Sequence, residues 1–598
     1  MIKQFLKFAP LLVVFAVVPF FLPEGRGGSY YLTLMILSGS YAIAALGLTV
    51  LLGYAGQVSL AQAAFFGIGS YAFSILAVTY GVNFWLSLLG AVVIALIFGA
   101  LIGVLVLRLR THYLALVTIG FQIITNLVLS NWDFTGGSDG IAGIPRPTLF
   151  GMDFLSDQNF YWLTLAFIAL AAFIVYRLRY SMIGSTLLAL REDEIAASTS
   201  GISVTAAKIL AFSVCAGLAG LGGVFYASGS MYISPNVYTF NQSVTFFAMV
   251  LIGGQESIVG SILGATLLTF LPEMLRFLQG YYIAVYGLAV VVIILFMPKG
   301  IYGSIASGAE WGWRRLFPPR DDARTAAPAA DEAHARERGP RSDEVVLEIA
   351  DLHKYFGGVK AVQGVDITVR RGDVVVLIGP NGSGKTTVLN TMSGIYKATR
   401  GAIRLCGHDI VNRSAHRISR LGMSRTFQNI RLFPELSVLE NVAIGFYPKA
   451  TVGVAGTLLL RPKGLREERR AEEKAKQTLL LLGFERFHEK AKNLAYGEQR
   501  IVEIARAIIS DPEVLLLDEP VAGMNREEKT RLSGILRTIS DMGITILLIE
   551  HDMSFVSKVA TYLYVMDYGR LISQGSVTDV LKDPAVIQAY LGGEIEDA

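Results

Sequence analysis

Two cysteines in a chain of 598 residues are too few for a disulfide framework. Cys215 stands in an apolar run and Cys406 in a polar one, and neither has the spacing of a metal site or a redox pair. Each reads as a small buried apolar residue. Charge is the second scarcity: 17% of the residues are charged and 53% are hydrophobic, which is unusual for a soluble protein of this length. The scarcity is local. Residues 1–300 hold 12 Lys and Arg with 10 Asp and Glu, whereas residues 301–598 hold 40 and 38. This division excludes a single soluble domain, a disordered chain and a purely membranous channel, and it predicts one half built for lipid and one for water. The net charge of +4 splits evenly between the halves, so no basic surface points to nucleic acid as a partner.

A bilayer-spanning helix needs about 20 mostly apolar residues. Runs of that kind recur near 5–22, 32–52, 58–78, 85–106, 113–129, 160–176, 209–226 and 282–296. The first follows Lys3 and Lys7, is long, ends in Pro23-Glu24-Gly25-Arg26 and offers no small-residue cleavage pattern, so it reads as an uncleaved span and not a signal peptide. Placing Lys3 and Lys7 inside also places Arg108, Arg110, Arg177, Arg179 and Arg191 inside, and the acidic loop 130–159 outside. After the seventh span the chain is outside, so an odd number of crossings must remain if its charged half lies inside. Region 243–275, interrupted by Gly253-Gly254-Gln255-Glu256, then supplies two short crossings, for about ten in all.

Gly and Ala are dense in 56–73 and 216–229, where small residues let helices approach closely. Gln57 and Gln62 are open to two readings, a polar path or interhelical hydrogen bonds, of which the second is the simpler. No cluster of acids within the spans suggests a proton relay, so energy for any transport must come from elsewhere. The inside loop 177–205 carries ALREDEIAASTSGIS at 189–203. Its charges alone would suit a solvated helix, but Glu194, Ala196, Ala197 and then Gly201 describe a short amphipathic helix ended by a glycine.

Residues 1–305 are thus expected to form the transmembrane domain, 306–344 a flexible linker and 345–598 a water-soluble domain. The linker is rich in Pro, Ala and mixed charge with almost nothing apolar to bury. Trp311, Trp313, Arg314 and Arg315 within it look like an interfacial anchor.

In the charged half a strand-like run, 373–380, leads into GPNGSGKTT at 379–387, a full match to the phosphate-binding pattern G-x-x-x-x-G-K-[ST]. Gly379, Gly382 and Gly384 let backbone N–H groups curl around phosphates, Lys385 neutralises the β/γ charge and Thr386 offers a hydroxyl to Mg²⁺. A second apolar strand, 514–520, ends in Asp518-Glu519. A carboxylate there is costly to bury without a cation; Asp518 suits Mg²⁺ and Glu519 suits a water attacking phosphate, with buried salt bridges the alternative. A third strand, 545–552, delivers His551 to the same sheet edge, where it could sense a γ-phosphate.

The phosphate loop, Gln428 in RTFQN, LAYGEQR at 494–500, Asp518-Glu519 and His551 resemble, in order and spacing, the ATP-binding-cassette ATPases. The signature LAYGEQR and the C-terminal PAVIQAYLG look specifically like the ATPase of bacterial branched-chain amino-acid importers. In the first half GQVSLAQAAFFGIGSY, TGGSDGI and LREDEIAA resemble a permease subunit of the same system. The resemblance implies a polytopic α-helical membrane domain followed by an α/β P-loop ATPase domain. It implies ATP held by Phe356, Gly379, Asn381, Gly382, Gly384, Lys385, Thr386 and Thr387, and Mg²⁺ held by Thr386, Gln428 and Asp518. Glu519 would be the catalytic base and His551 the switch. Leu494, Ala495, Tyr496, Gly497 and Glu498 would form the signature that meets a partner cassette's phosphate loop, and Glu194, Ala196, Ala197 and Gly201 the coupling loop of the permease. Two residues depart from the family pattern: Ala495 replaces the common serine, and Asn525 stands where Asp is common in the dimer-contact loop.

The function this implies is ATP-driven uptake of amino acids, chiefly Leu, Ile and Val, across a bacterial cytoplasmic membrane, with the cassette on the cytoplasmic side. Urea, short amides or aromatic acids are alternative cargoes, and an exporter is a further alternative. The expected partners are a second permease subunit and a second ATPase, or a second copy of this chain, together with an extracytoplasmic solute-binding protein and membrane lipid.

Overall fold

The structure, a computed structural model, describes residues 13, 15–21, 26–107, 111–149, 152–297, 300–304, 342–450 and 462–591. The linker 306–344 up to residue 341, with Trp311, Trp313, Arg314 and Arg315, lies outside them, as do Lys3, Lys7, Arg108 and Arg110. The chain forms two compact units. One is residues 1–191 with 205–324; the other is 192–204 with 325–598.

The first unit is helical. Among its described residues six helices are long and apolar enough to cross a membrane: Gly28–Tyr54, Gln62–Thr79, Phe84–Val106, Tyr113–Asn131, Asp157–Arg179 and Val204–Ser230. Region 243–275 is two shorter helices, Phe240–Gly253 and Ile258–Met274. Gly254, at φ +118°, breaks between them, and the Ser257 hydroxyl caps the second by accepting the Gly260 N–H. At 1.5 Å per residue the 17-residue helix spans about 26 Å, short of a bilayer core of about 30 Å. Six helices among the described residues are thus of spanning length, and a total of about ten crossings is not established by them. The other expected crossings fall on these two helices, on the 15-residue helix Tyr282–Phe296, or on 5–22, of which only 13 and 15–21 are described.

Small residues set the helix spacing. A Cβ added to Gly69 would lie 2.2 Å from the Gly220 Cα, and one on Gly223 would lie 2.1 Å from the Phe66 carbonyl oxygen. Only a hydrogen fits at either position, so the Gln62–Ser74 helix rests directly on the Val204–Ser230 helix. Gln62 is buried between helices, donating to the Ala44 carbonyl at 2.6 Å and accepting from the Cys215 thiol at 3.0 Å. Gln57 bonds instead to the Ala55 carbonyl two residues back. Arg191 fastens the break after Gly254, donating to Glu256 and to the Gly53 carbonyl at 2.6 Å each.

The second unit holds a six-stranded sheet. Its strands are β1 (Val374–Ile378), β2 (Met423–Arg425), β3 (Val514–Asp518), β4 (Thr545–Ile549), β5 (Tyr562–Asp567) and β6 (Arg570–Gly575), in the order β2-β3-β4-β1-β5-β6. All neighbours are parallel except β5 and β6. Every residue of β1, β3 and β4 is buried, which is why these strands read as continuous apolar runs without alternation. A second, antiparallel sheet joins Val345–Phe356, Val359–Arg370 and Arg400–Leu405, and its inner residues share one core with β1 and β3. The registers Asp518↔Ile549 and Ile549↔Leu377 align the C-terminal ends of β3, β4 and β1. In such sheets ligands bind at that edge.

Candidate functional site

The loop after β1 is shaped by glycines. Gly379, Gly382 and Gly384 have φ of +149°, +81° and +101°, conformations that L side chains rarely adopt. A Cβ on Gly379 would lie 2.1 Å from the Met566 carbonyl oxygen, and one on Gly384 2.3 Å from that of Ala361. Gly384 is the N-cap of the helix Lys385–Met392, whose amide end attracts anions. The Lys385 ammonium donates to the Gly379 and Pro380 carbonyls at 2.8 and 2.7 Å and to the Ser383 hydroxyl at 3.3 Å. Burial lowers its pKa, while the charges of Glu519 and Asp518 pull the other way. Asn381, Gly382 and Thr386 are exposed beside it and Thr387 is half-buried.

At the end of β3 the Asp518 carboxylate is buried. One oxygen accepts from Arg425 at 3.0 Å; the other, Oδ1, is buried with no hydrogen-bond partner. Burial raises the Asp518 pKa and Arg425 draws it back. Glu519, next along, has φ +45°, is half-buried, and accepts from the Gln428 amide at 2.8 Å. Lys385, Gln428 and the adjacent pair Asp518 and Glu519, far apart in sequence, are thus brought together. Among the described residues no group of three or more His, Cys, Asp or Glu could hold a metal ion. An Mg²⁺ here would depend on the orphaned oxygen of Asp518, the Thr386 hydroxyl, Gln428 and phosphate oxygens, a hard oxygen set of the kind that ion takes with nucleotides. His551 is exposed just beyond the end of β4.

Phe356 closes the hairpin strand with its ring 42% exposed. Tyr396 meets it edge-on at 5.2 Å and the Lys354 ammonium lies 4.6 Å from its centroid. In the signature, Leu494 and Gly497 are buried, Ala495 and Tyr496 are exposed and Glu498 is half-buried. Ala495 is the N-cap of the helix Tyr496–Ile508 and gives it no side-chain bond; the Glu498 carboxylate instead accepts the Ala495 N–H at 3.1 Å. Asn525 caps the helix Arg526–Asp541, accepting from the Glu528 N–H at 2.9 Å.

Residues 192–204 belong to this same unit. They form a helix, Glu194–Thr199, capped by Asp193, whose Oδ1 accepts from the Ile195 and Ala196 amides at 2.8 Å. Ala196 and Ala197 are fully buried. A Cβ on Gly201 would lie 2.6 Å from the Pro448 ring, and Glu194 is exposed. Asp193 pairs with Arg431 at 2.6 Å, and the Glu435 N–H donates to Glu192 at 3.3 Å.

Several residues at the site escape sequence reasoning. Arg425 is buried and also donates to Asn390 and Ser393 at 2.7 Å. Arg500 and Glu503, both fully buried, pair at 2.8 Å, and Arg500 donates to the Phe427 and Gln428 carbonyls at 2.5 and 2.7 Å. Glu503 accepts the Arg431 N–H at 3.2 Å. In sequence such an i, i+3 pair suggests an exposed helix face. Glu550, directly after the buried β4, carried the same signal as Asp518: an acid at the end of an apolar strand.

Residues 30–297 match the family model of the permease component of the branched-chain amino acid transport system, 362–522 that of the ABC transporter, and 570–596 that of the branched-chain amino acid ATP-binding cassette transporter. The cassette half is 40% identical over 249 residues to the high-affinity branched-chain amino acid transport ATP-binding protein BraF of Pseudomonas aeruginosa, covering 41% of this chain and 98% of that protein. It is 39% identical over 249 residues to LivG of Escherichia coli, again covering 98% of the relative. The permease half is 35% identical over 324 residues to the high-affinity branched-chain amino acid transport system permease protein LivM of Salmonella typhimurium, covering 50% of this chain and 75% of that protein. The chain belongs to the branched-chain amino acid ABC transporter family. It joins in one polypeptide a permease and an ATP-binding cassette that its relatives carry as separate proteins. This fused ABC transporter is membrane-embedded, binds and hydrolyses ATP through its cassette, and works with partner subunits.

Proposed function

We propose that the chain drives ATP-dependent uptake of leucine, isoleucine and valine across a bacterial cytoplasmic membrane, with the cassette on the cytoplasmic side. The observation that carries this reading is that both halves, independently, match components of branched-chain amino acid transport.

In this reading residues 1–305 form the permease, 306–344 the tether and 345–598 the motor. ATP lies with its base against Phe356 and its phosphates in the loop 379–387, where Lys385 turns from the loop carbonyls to the β and γ oxygens. Mg²⁺, when bound, supplies charge neutralisation between the phosphates, and Thr386, Gln428 and Asp518 are the residues that would hold it. Glu519 polarises the attacking water at the γ-phosphorus, and its bond to Gln428 holds it until the nucleotide is seated. His551 senses the γ-phosphate.

The signature 494–498 faces the phosphate loop of a second cassette. Without a hydroxyl at Ala495 it offers that loop Gly497 and the helix N-terminus. The segment with Glu194, Ala196, Ala197 and Gly201 is the coupling helix: its two alanines allow the backbone to lie close, and Asp193 reports its position through Arg431 to the loop carrying Gln428. The complete transporter then has a second permease, a second ATPase and an extracytoplasmic binding protein; a dimer of this chain is the alternative assembly.

The test is uptake by cells lacking and re-expressing the chain, measured with radiolabelled leucine, isoleucine, valine, urea, a short amide and an aromatic acid. Restored accumulation of the three aliphatic amino acids alone is the expected result. Restoration of another class alone would overturn the substrate assignment.

A further inference from the structure

Glu550 is fully buried and pairs with no side-chain cation among the described residues. Its carboxylate is satisfied by backbone instead. Oε1 accepts the Val521 N–H at 2.9 Å, while Oε2 accepts the N–H groups of His551 at 3.0 Å and Asp552 at 3.4 Å. Val521 lies two residues after Glu519 in the loop that runs to Asn525; His551 and Asp552 open the loop after β4. One carboxylate thus joins two loops that are 29 positions apart in sequence. Burial raises the Glu550 pKa and the three N–H groups draw it back; three donors, and no acceptor bonded to it among the described residues, are the surroundings of a carboxylate and not of an acid. The same two elements are tied once more farther out, where Lys529 on the Arg526–Asp541 helix meets Asp552 at 2.6 Å.

We propose that Glu550 is a positioning residue for ATP hydrolysis, fixing the loop 519–525 to the His551 loop so that the water-polarising glutamate, the dimer-contact loop and the switch histidine move as one piece. The proposal rests on the assignment of Glu519 and His551 made above. Its consequence is directional. When a second cassette presses on the loop at Asn525, the displacement reaches His551 through the Val521 amide and the Glu550 carboxylate, without any change in the sheet. A glutamine cannot replace the acid: its single carbonyl oxygen accepts on one side only, and its NH₂ group confronts an N–H on the other. Glu550→Gln must therefore release one of the two loops while filling the same volume.

The test is a double-mutant cycle on the full chain in its purified, membrane-reconstituted transporter, measuring kcat and KM for ATP in wild type, Glu550→Gln, His551→Ala and the double variant. Glu550→Gln is expected to lower kcat about tenfold or more while KM stays within about threefold, because the phosphate loop is untouched. The double variant is expected to be no slower than His551→Ala alone, since both changes remove one shared function. Glu550→Gln with a kcat within about twofold of wild type, or losses that multiply in the double variant, would overturn the proposal. A wild-type kcat in His551→Ala would overturn instead the assignment of His551. Should Glu550→Gln fail to give a monodisperse complex, Glu550→Asp, too short to span both loops, is put through the same cycle with the same expectations.

Discussion

Arg425 and Asp518 show how one buried charge is made tolerable. Their side chains are each 2% exposed, and an unpaired carboxylate at that depth is costly. Arg425→Leu leaves Asp518 without its cation and is expected to cost about 3–5 kcal/mol, seen as a lowered thermal unfolding midpoint of the full chain. Ala495→Ser should act in the other direction: a hydroxyl at an empty N-cap is worth about 1 kcal/mol, so this variant melts higher than wild type, and an unchanged or lower midpoint contradicts the capping geometry. At Asp552 the Lys529 ammonium holds the carboxyl well below its usual range, helped by Ser554 and the Phe555 amide. A depressed carboxyl contributes stability present above the unfolded pKa of about 3.9 and lost as pH falls through the folded value. Lys529→Met therefore lowers the midpoint at pH 7, and the gap from wild type narrows as pH falls below about 4; a gap that stays constant to about pH 3 would show that the pair contributes no such linkage.

Elements differ in how far their sequence betrays them. β1, β3 and β4 are legible because a strand buried on both faces must be apolar at every position, and the chemistry-bearing residues follow directly on their ends. The phosphate loop is equally legible, since its glycines are required by backbone approach and not by packing. What sequence could not supply was pairing across the fold: Arg425 and Asp518 are 93 positions apart, and nothing local in RTFQN says that its arginine is buried. The apolar runs located the helices, and the break expected in 243–275 falls at Gly254, between the helices Phe240–Gly253 and Ile258–Met274. Helix spacing, by contrast, was written in the small residues. Gly223→Leu drives a side chain into the Phe66 carbonyl and is expected to cost about 1–3 kcal/mol as overpacking, read as earlier thermal aggregation of the detergent-solubilised chain. The proposed coupling helix has its own test. Asp193→Arg and Arg431→Asp should each reduce transport-linked ATPase activity, and the two together should restore part of it, because the pair at 2.6 Å is re-formed with its charges exchanged; a double variant worse than either single one contradicts a direct link.

For the molecule as a whole, the uneven charge count marks a division of labour. The charge-poor half answers to permeases and the charge-rich half to cassettes, over 75% of the permease relative's length and 98% of the cassette relative's. Fusion fixes their stoichiometry at one to one. In the assembly proposed above, the second cassette, and with it the signature facing the phosphate loop at 379–387, comes from another subunit. The central claim is that hydrolysis at Glu519 powers uptake by the attached permease. It is tested most directly in proteoliposomes that hold the complete transporter and enclosed ATP, by measuring leucine accumulation and phosphate release together for wild type and Glu519→Gln. The account predicts that Glu519→Gln still binds and occludes ATP but loses both phosphate release and accumulation by about 100-fold or more. Leucine accumulation at the wild-type rate in Glu519→Gln, or ATP hydrolysis that continues with occlusion lost, would contradict it.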